Sequence, residues 1–195
     1  QNLITGALVP LLLKIISLLI IIFLYKELLR EHWVIFKKRL WLKLLFCGVG
    51  AAAMYFVLSG TRWVIGIPQS AQVLQEVTGG LPYGVFLLAS VTPLLAPVTE
   101  EIIFRHVLFY KFKDSLPLRI LMFFVSAFLF GAIHINNFGG NLWLTIPYMV
   151  VALVYNVIYY FTKNIWFSIT IHLIFNSIQS IIPALLIPFL IQNMG

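Results

Sequence analysis

Long apolar stretches separated by short polar ones dominate the chain. Apolar residues run over Leu3–Tyr25, Leu44–Leu58, Leu81–Phe112, Leu118–Ile135, Leu142–Phe161 and Ile165–Ile182, with a shorter segment over 184–191. These runs are continuous rather than alternating, so they predict helices and not the strands of a barrel. In lipid those are the only two ways to satisfy a backbone. Most of the runs reach the roughly 20 residues that a crossing needs. The expected fold class is therefore all-α: a polytopic transmembrane helical bundle of about six or seven membrane helices. We expect one integral membrane domain over 1–195.

Polar and breaking residues place the turns. Lys26, Arg30, Lys37, Lys38, Arg39 and Lys43 follow the first run, opposed by Glu27 and Glu31. Basic residues beside apolar runs mark cytoplasmic loops, and the loops over 26–43, 111–119 and 163 are expected on that side. Residues 59–82 read as an exterior loop, and Asn136–Asn141 as a tight exterior turn. Small residues over Gly48–Ala53 suit close helix packing. The run Leu81–Phe112 is too long for one ordinary span and carries Pro82, Pro93 and Pro97. Proline removes a donor and kinks a helix, which predicts one Pro-broken helix with pieces near 83–95 and 98–113. The segment 184–191 is short for a crossing. The first run has no small-residue cleavage site after its apolar core, so a signal peptide is not expected.

Composition sharpens the membrane reading. Of 195 residues, 62% are hydrophobic and 10% charged, and mean hydropathy is +1.02. A soluble domain is about half apolar and about a quarter charged. The net charge of +7 belongs to the loops and offers no solvated face for nucleic acid. The single Cys47 supports neither a disulfide nor a Cys-based metal or redox motif.

Against this background a few ionisable groups stand out at membrane depth, where they are expensive and by default functional. Two of only six acidic residues adjoin in Thr99-Glu100-Glu101-Ile102-Ile103-Phe104-Arg105. Counting from the predicted cytoplasmic turns at about 1.5 Å per residue, Glu100 lies roughly 18 Å deep and His134 roughly 22 Å. His172 and Asn176 lie roughly 12 to 18 Å deep. Glu101–Arg105 and His172–Asn176 are i, i+4 pairs and share a helix face. The first suits a carboxylate–guanidinium pair, while Glu100 points about 100° away, towards a cavity. His106 is left off the site face. Tyr148, Tyr155 and Asn156 read as packing, and Lys14 as either snorkelling or facing the bundle interior.

A carboxylate and a histidine together can hold and deprotonate a water. A second histidine and an amide can donate to a developing oxyanion. These parts suit hydrolysis of an amide inside the membrane. Glu100, His134 and His172 could instead hold zinc, although the helical His-Glu-x-x-His motif is absent.

These residues resemble a known family. Glu100-Glu101-Ile102-Ile103-Phe104-Arg105 is similar to the EExxxR motif of the CPBP family, the CAAX prenyl proteases and bacteriocin-processing enzymes, also called Abi. Phe130-Gly131-Ala132-Ile133-His134 is similar to its FxxxH motif, and His172-Leu173-Ile174-Phe175-Asn176 to its HxxxN motif. The three stand in the family's order over a motif-bearing core of 81–180. The resemblance implies an intramembrane endopeptidase that acts on a peptide or membrane-anchored protein. It implies Glu100 and His134 activating water, His172 and Asn176 stabilising the oxyanion, and Glu101 and Arg105 in support. It implies no committed cofactor or metal. The short loops look bacterial, where relatives serve peptide maturation, bacteriocin self-immunity or surface-protein processing. Two other readings compete. One is a catalytically silent membrane scaffold of the same family that binds and regulates a partner membrane protein. The other is a small ion carrier, which the absence of an inverted repeat disfavours.

Overall fold

A computed structural model describes residues 3–67 and 83–186. The expected exterior loop falls outside these over 68–82, as does 187–191 of the terminal apolar segment. Seven α-helices, with short π-helical and 3₁₀ stretches beside them, make up most of the described residues, and there are no strands among these. They are α1 (Leu3–Leu24), α2 (Lys26–Phe36), α3 (Leu40–Val64), α4 (Tyr83–Glu100), α5 (Leu116–Ala132), α6 (Ile146–Thr162) and α7 (Ile165–Asn176). Four helical stretches are long and apolar enough to cross a membrane: Leu40–Val64, Tyr83–Phe112, Leu142–Thr162 and Ile165–Leu186. A fifth is counted if Leu8–Leu24 and Lys26–Phe36, bent by 81°, form one broken span.

The region expected to be a basic loop over 26–43 contains α2. Its charges are spaced among apolar residues so that one face closes on the bundle, burying Leu29 and Phe36. Trp166 Nε1 donates to the Leu29 carbonyl at 2.8 Å, and Asn164 Nδ2 donates to that of His32 at 2.8 Å. These bonds fasten α2 to the turn before α7. In that turn Lys163 adopts a left-handed φ of 51°, and Asn164 caps α7 by accepting from the Trp166 amide. On α3 the buried residues Cys47, Ala51, Met54 and Leu58 recur at helical spacing, forming one stripe. That stripe packs with Val151 and Tyr155 of α6 and Ile171 and Phe175 of α7. A Cβ at Gly50 would come within 2.8 Å of Ile171 Cδ1, which is the close approach expected of the small-residue run. α1 lies against α4. Exposed Phe23, Trp41, Phe56, Trp63, Phe124 and Phe161 form the outer surface, as suits a lipid-facing bundle.

The predicted interruption of the long third run lies one turn later than expected. Helix α4 runs through Pro93 and Pro97, then widens into a π-helical stretch, Glu101–Phe109, followed by a 3₁₀ turn, Tyr110–Phe112. A residue at position 97 would ordinarily donate its amide to the Pro93 carbonyl, four residues back, but Pro97 has no N–H. Asn176 Nδ2 supplies that bond from α7 at 2.8 Å. Lost backbone bonds in membrane helices are commonly restored in this way by a neighbouring helix. Wide turns of this type concentrate at functional sites, and here the wide turn begins at the second of the two carboxylates. A second π stretch, Ser177–Ile181, follows Asn176.

Candidate active site

Glu101 and Arg105 both have fully buried side chains. Arg105 Nε donates to Glu101 Oε2 at 3.1 Å. Its guanidinium carbon lies 4.5 Å from the Phe130 ring centroid and 5.2 Å from that of Tyr155. The terminal nitrogens have no hydrogen-bond partner among the described residues, and the two aromatic faces are what cover them. The other oxygen of Glu101, Oε1, lies 2.9 Å from His172 Nδ1. An ionised carboxylate only accepts, so Nδ1 carries the proton. Both oxygens of Glu101 are therefore spent, one on the arginine and one on the histidine.

Glu100 points elsewhere, and its surroundings differ. Its side chain is 8% exposed, and Lys14 Nζ, from α1, donates to Oε1 at 3.0 Å. Its second oxygen, Oε2, faces His172 Nε2 at 3.9 Å, outside direct hydrogen-bond range. Adjacent positions on one chain thus give two carboxylates with separate counter-ions. Glu101 is locked by Arg105, while Glu100 keeps one oxygen turned towards the imidazole.

His172 is held between Glu101 and two rings. Tyr155 stacks on it at 5.3 Å and Phe130 meets it edge-on at 5.9 Å. His134, expected within the run Leu118–Ile135, lies just past the end of α5 and before the 3₁₀ turn Ile135–Phe138. Its backbone N–H bonds the Gly131 carbonyl at 3.0 Å. Its Nδ1 donates to the Phe130 carbonyl at 2.8 Å, and its ring stacks on Tyr148 at 4.5 Å. With the proton fixed on Nδ1, Nε2 is left as the acceptor. Asn176 spends an amide hydrogen on Pro93 and so ties α7 to α4. Among the described residues no group of three His, Cys, Asp or Glu side chains is arranged to hold a metal ion.

The structure brings Glu100, Glu101, Arg105 and His172 together, and His134 lies beside them across the Phe130 ring, whose centroid is 5.1 Å from that of His134 and 5.9 Å from that of His172. Asn176 follows one turn after His172. His106 lies apart, its Nδ1 2.8 Å from the Tyr159 hydroxyl. Tyr148 and Tyr155, read as packing, do pack, and the rings they stack on are those of His134 and His172. Lys14 was left with two readings, and the interior one holds. Its signal was visible as the single charge within Leu3–Leu24. Asn156, also read as packing, serves that purpose by donating to Ser126 Oγ at 2.7 Å and to the Phe123 carbonyl at 2.9 Å.

Residues 82–178 match the family model described as type II CAAX prenyl endopeptidase Rce1-like. No curated protein and no solved structure matches the chain significantly. The matched segment carries the EExxxR-, FxxxH- and HxxxN-like stretches together with the buried pair and both histidines. Through residues 82–178, therefore, this membrane protein belongs to the Rce1-like, type II CAAX prenyl endopeptidase family within the CPBP group.

Proposed function

We propose that the chain is an intramembrane endopeptidase that hydrolyses a peptide bond of a membrane-associated protein or peptide through a water activated by Glu100 and His134. The observation that carries this reading is the unequal use of the two carboxylates. Glu101 has no oxygen to spare, whereas Glu100 keeps Oε2 directed at His172. In the proposed reaction Glu100 takes a proton from water, assisted by the free Nε2 of His134, and the water oxygen bonds to the scissile carbonyl carbon. The carbonyl oxygen becomes an oxyanion, for which the Nε2–H of a doubly protonated His172, its Nδ1–H remaining on Glu101, and the second amide hydrogen of Asn176 are the donors. Collapse breaks the C–N bond, and the proton held by Glu100 passes to the leaving amine. Glu101 and Arg105 fix His172 and take no proton.

The zinc alternative for Glu100, His134 and His172 fits the donor set poorly. An ammonium holds one oxygen of Glu100, where a bound cation would be repelled, and no trio of ligands is gathered among the described residues. We further propose that the basic segments at 26–43, 111–119 and 163 face the cytoplasm.

The test is cleavage of a library of internally quenched, lipid-anchored peptides by the purified chain in proteoliposomes. The wild-type chain should cleave members of the library. Glu100→Gln and His134→Ala should each lower kcat by about 10²- to 10⁴-fold, the usual contribution of a positioned acid or base. Cleavage that persists unchanged in Glu100→Gln would sink the mechanism, and a biological effect surviving both substitutions would favour the silent scaffold.

A further inference from the structure

Lys14 stands outside the family segment, 86 residues before Glu100 in sequence, yet it touches the carboxylate proposed to handle water. α1 has no other charged side chain, and a lone ammonium within an apolar span is costly unless it is paired. Arg105 is spent on Glu101. Among the described residues Lys14 is thus the cation bonded to Glu100. The two counter-ions also differ in setting. Arg105 is fully buried between two aromatic rings, whereas Lys14 is 39% exposed and reaches in from the next helix on a flexible stem. It takes Oε1, and the oxygen left facing His172 is Oε2.

From this geometry we infer that Lys14 is a positioning residue of the active site. It orients Glu100 so that Oε2 faces His172, and it supplies the counter-charge that lets this carboxylate stay buried. α1 is then a working part of the site, although the Rce1-like segment begins only at residue 82. The positioning role rests on the hydrolytic reading above, while the ion pair itself does not.

The experiment has two arms. In the first, Lys14→Met, Glu100→Gln and the double variant are melted in detergent. The pair predicts that Lys14→Met lowers Tm and that adding Glu100→Gln recovers most of the loss, because the unpaired buried charge is then removed. Additive losses would overturn the pair. In the second arm, cleavage is measured for variants that retain their fold. Lys14→Met should lower kcat by about a hundredfold, as a misplaced catalytic group does, with KM unchanged, and Lys14→Arg should restore most of kcat. An unaltered kcat in Lys14→Met, or a loss confined to KM, would overturn the positioning role. If the wild-type chain cleaves nothing, the hydrolytic reading and the positioning role fail together. A coupled melting cycle would still establish the ion pair.

Discussion

Arg105 shows why a single residue can govern this site. It has no access to water, it bonds Glu101, and its remaining surface is taken up by the rings of Phe130 and Tyr155. Phe130 stands one turn before His134, and Tyr155 also stacks on His172. Removing one partner of a buried ion pair leaves the other charge uncompensated, at a cost of about 3–5 kcal/mol. Arg105→Met is therefore expected to destabilise the protein by that amount, read as a fall in melting temperature in detergent. The double variant with Glu101→Gln should recover much of the stability, because the stranded charge is gone. It should not recover cleavage, since Glu101 also holds His172 Nδ1. Equal melting of Arg105→Met and the double variant would show that a stranded carboxylate is not what destabilises the single variant. The sequence made the Glu101–Arg105 pair legible through its i, i+4 spacing. It could not show which faces would cover the guanidinium, because those rings come from α5 and α6.

At the scale of elements, the site depends on close approach between helices. Gly131 lies next to the end of α5, in the stretch that delivers His134. A Cβ there would collide with Met149 Cγ of α6 and lie 3.2 Å from the Thr145 carbonyl oxygen. Overpacking of this kind typically costs about 1–3 kcal/mol. Gly131→Ala should accordingly lower the melting temperature. It should also lower kcat, because α5 must shift and carry the Phe130 carbonyl and His134 with it. Gly131→Ala with wild-type melting and cleavage would mean that α5 and α6 have room to separate. A second dependence joins α4 to α7, where Asn176 replaces the bond that Pro97 cannot make to the Pro93 carbonyl. The proline pattern announced an irregular helix. The structure shows the proline gap closed by another helix and the widening deferred to Glu101–Phe109. Local rules locate a missing donor but do not say which distant side chain replaces it.

At the scale of the whole molecule, the described helices enclose a small charged centre within a mostly apolar surface. The orientation proposed above follows from the basic segments. Lys38→Cys, Asp114→Cys and Lys163→Cys should all react with a membrane-impermeant maleimide from the same side, and only after the cells are opened. The native Cys47 is buried, so a low background is expected. Labelling of any one of these positions in intact cells would reverse or break the proposed topology.

By itself the sequence determined the membrane class, most of the spans, and the residue types of the chemistry. Hydrophobic run length, helical spacing and proline position are local properties that a chain carries wherever it goes. It also determined the three motif-like stretches, and with them the resemblance that the family match supports. The tertiary structure decided which partner each of those groups meets. It gave Glu101 to Arg105 and His172, gave Glu100 to Lys14, and spent an amide hydrogen of Asn176 on a proline gap. It laid Tyr148 and Tyr155 on the histidines, and folded the basic segment after α1 into a helix of its own. Each of these outcomes depends on which helix lies against which. In lipid that is set by packing and by the pairing of scarce polar groups across long sequence separations. An i, i+4 pattern cannot encode such pairing, and a single lysine on a distant helix acquires its meaning only when that helix docks.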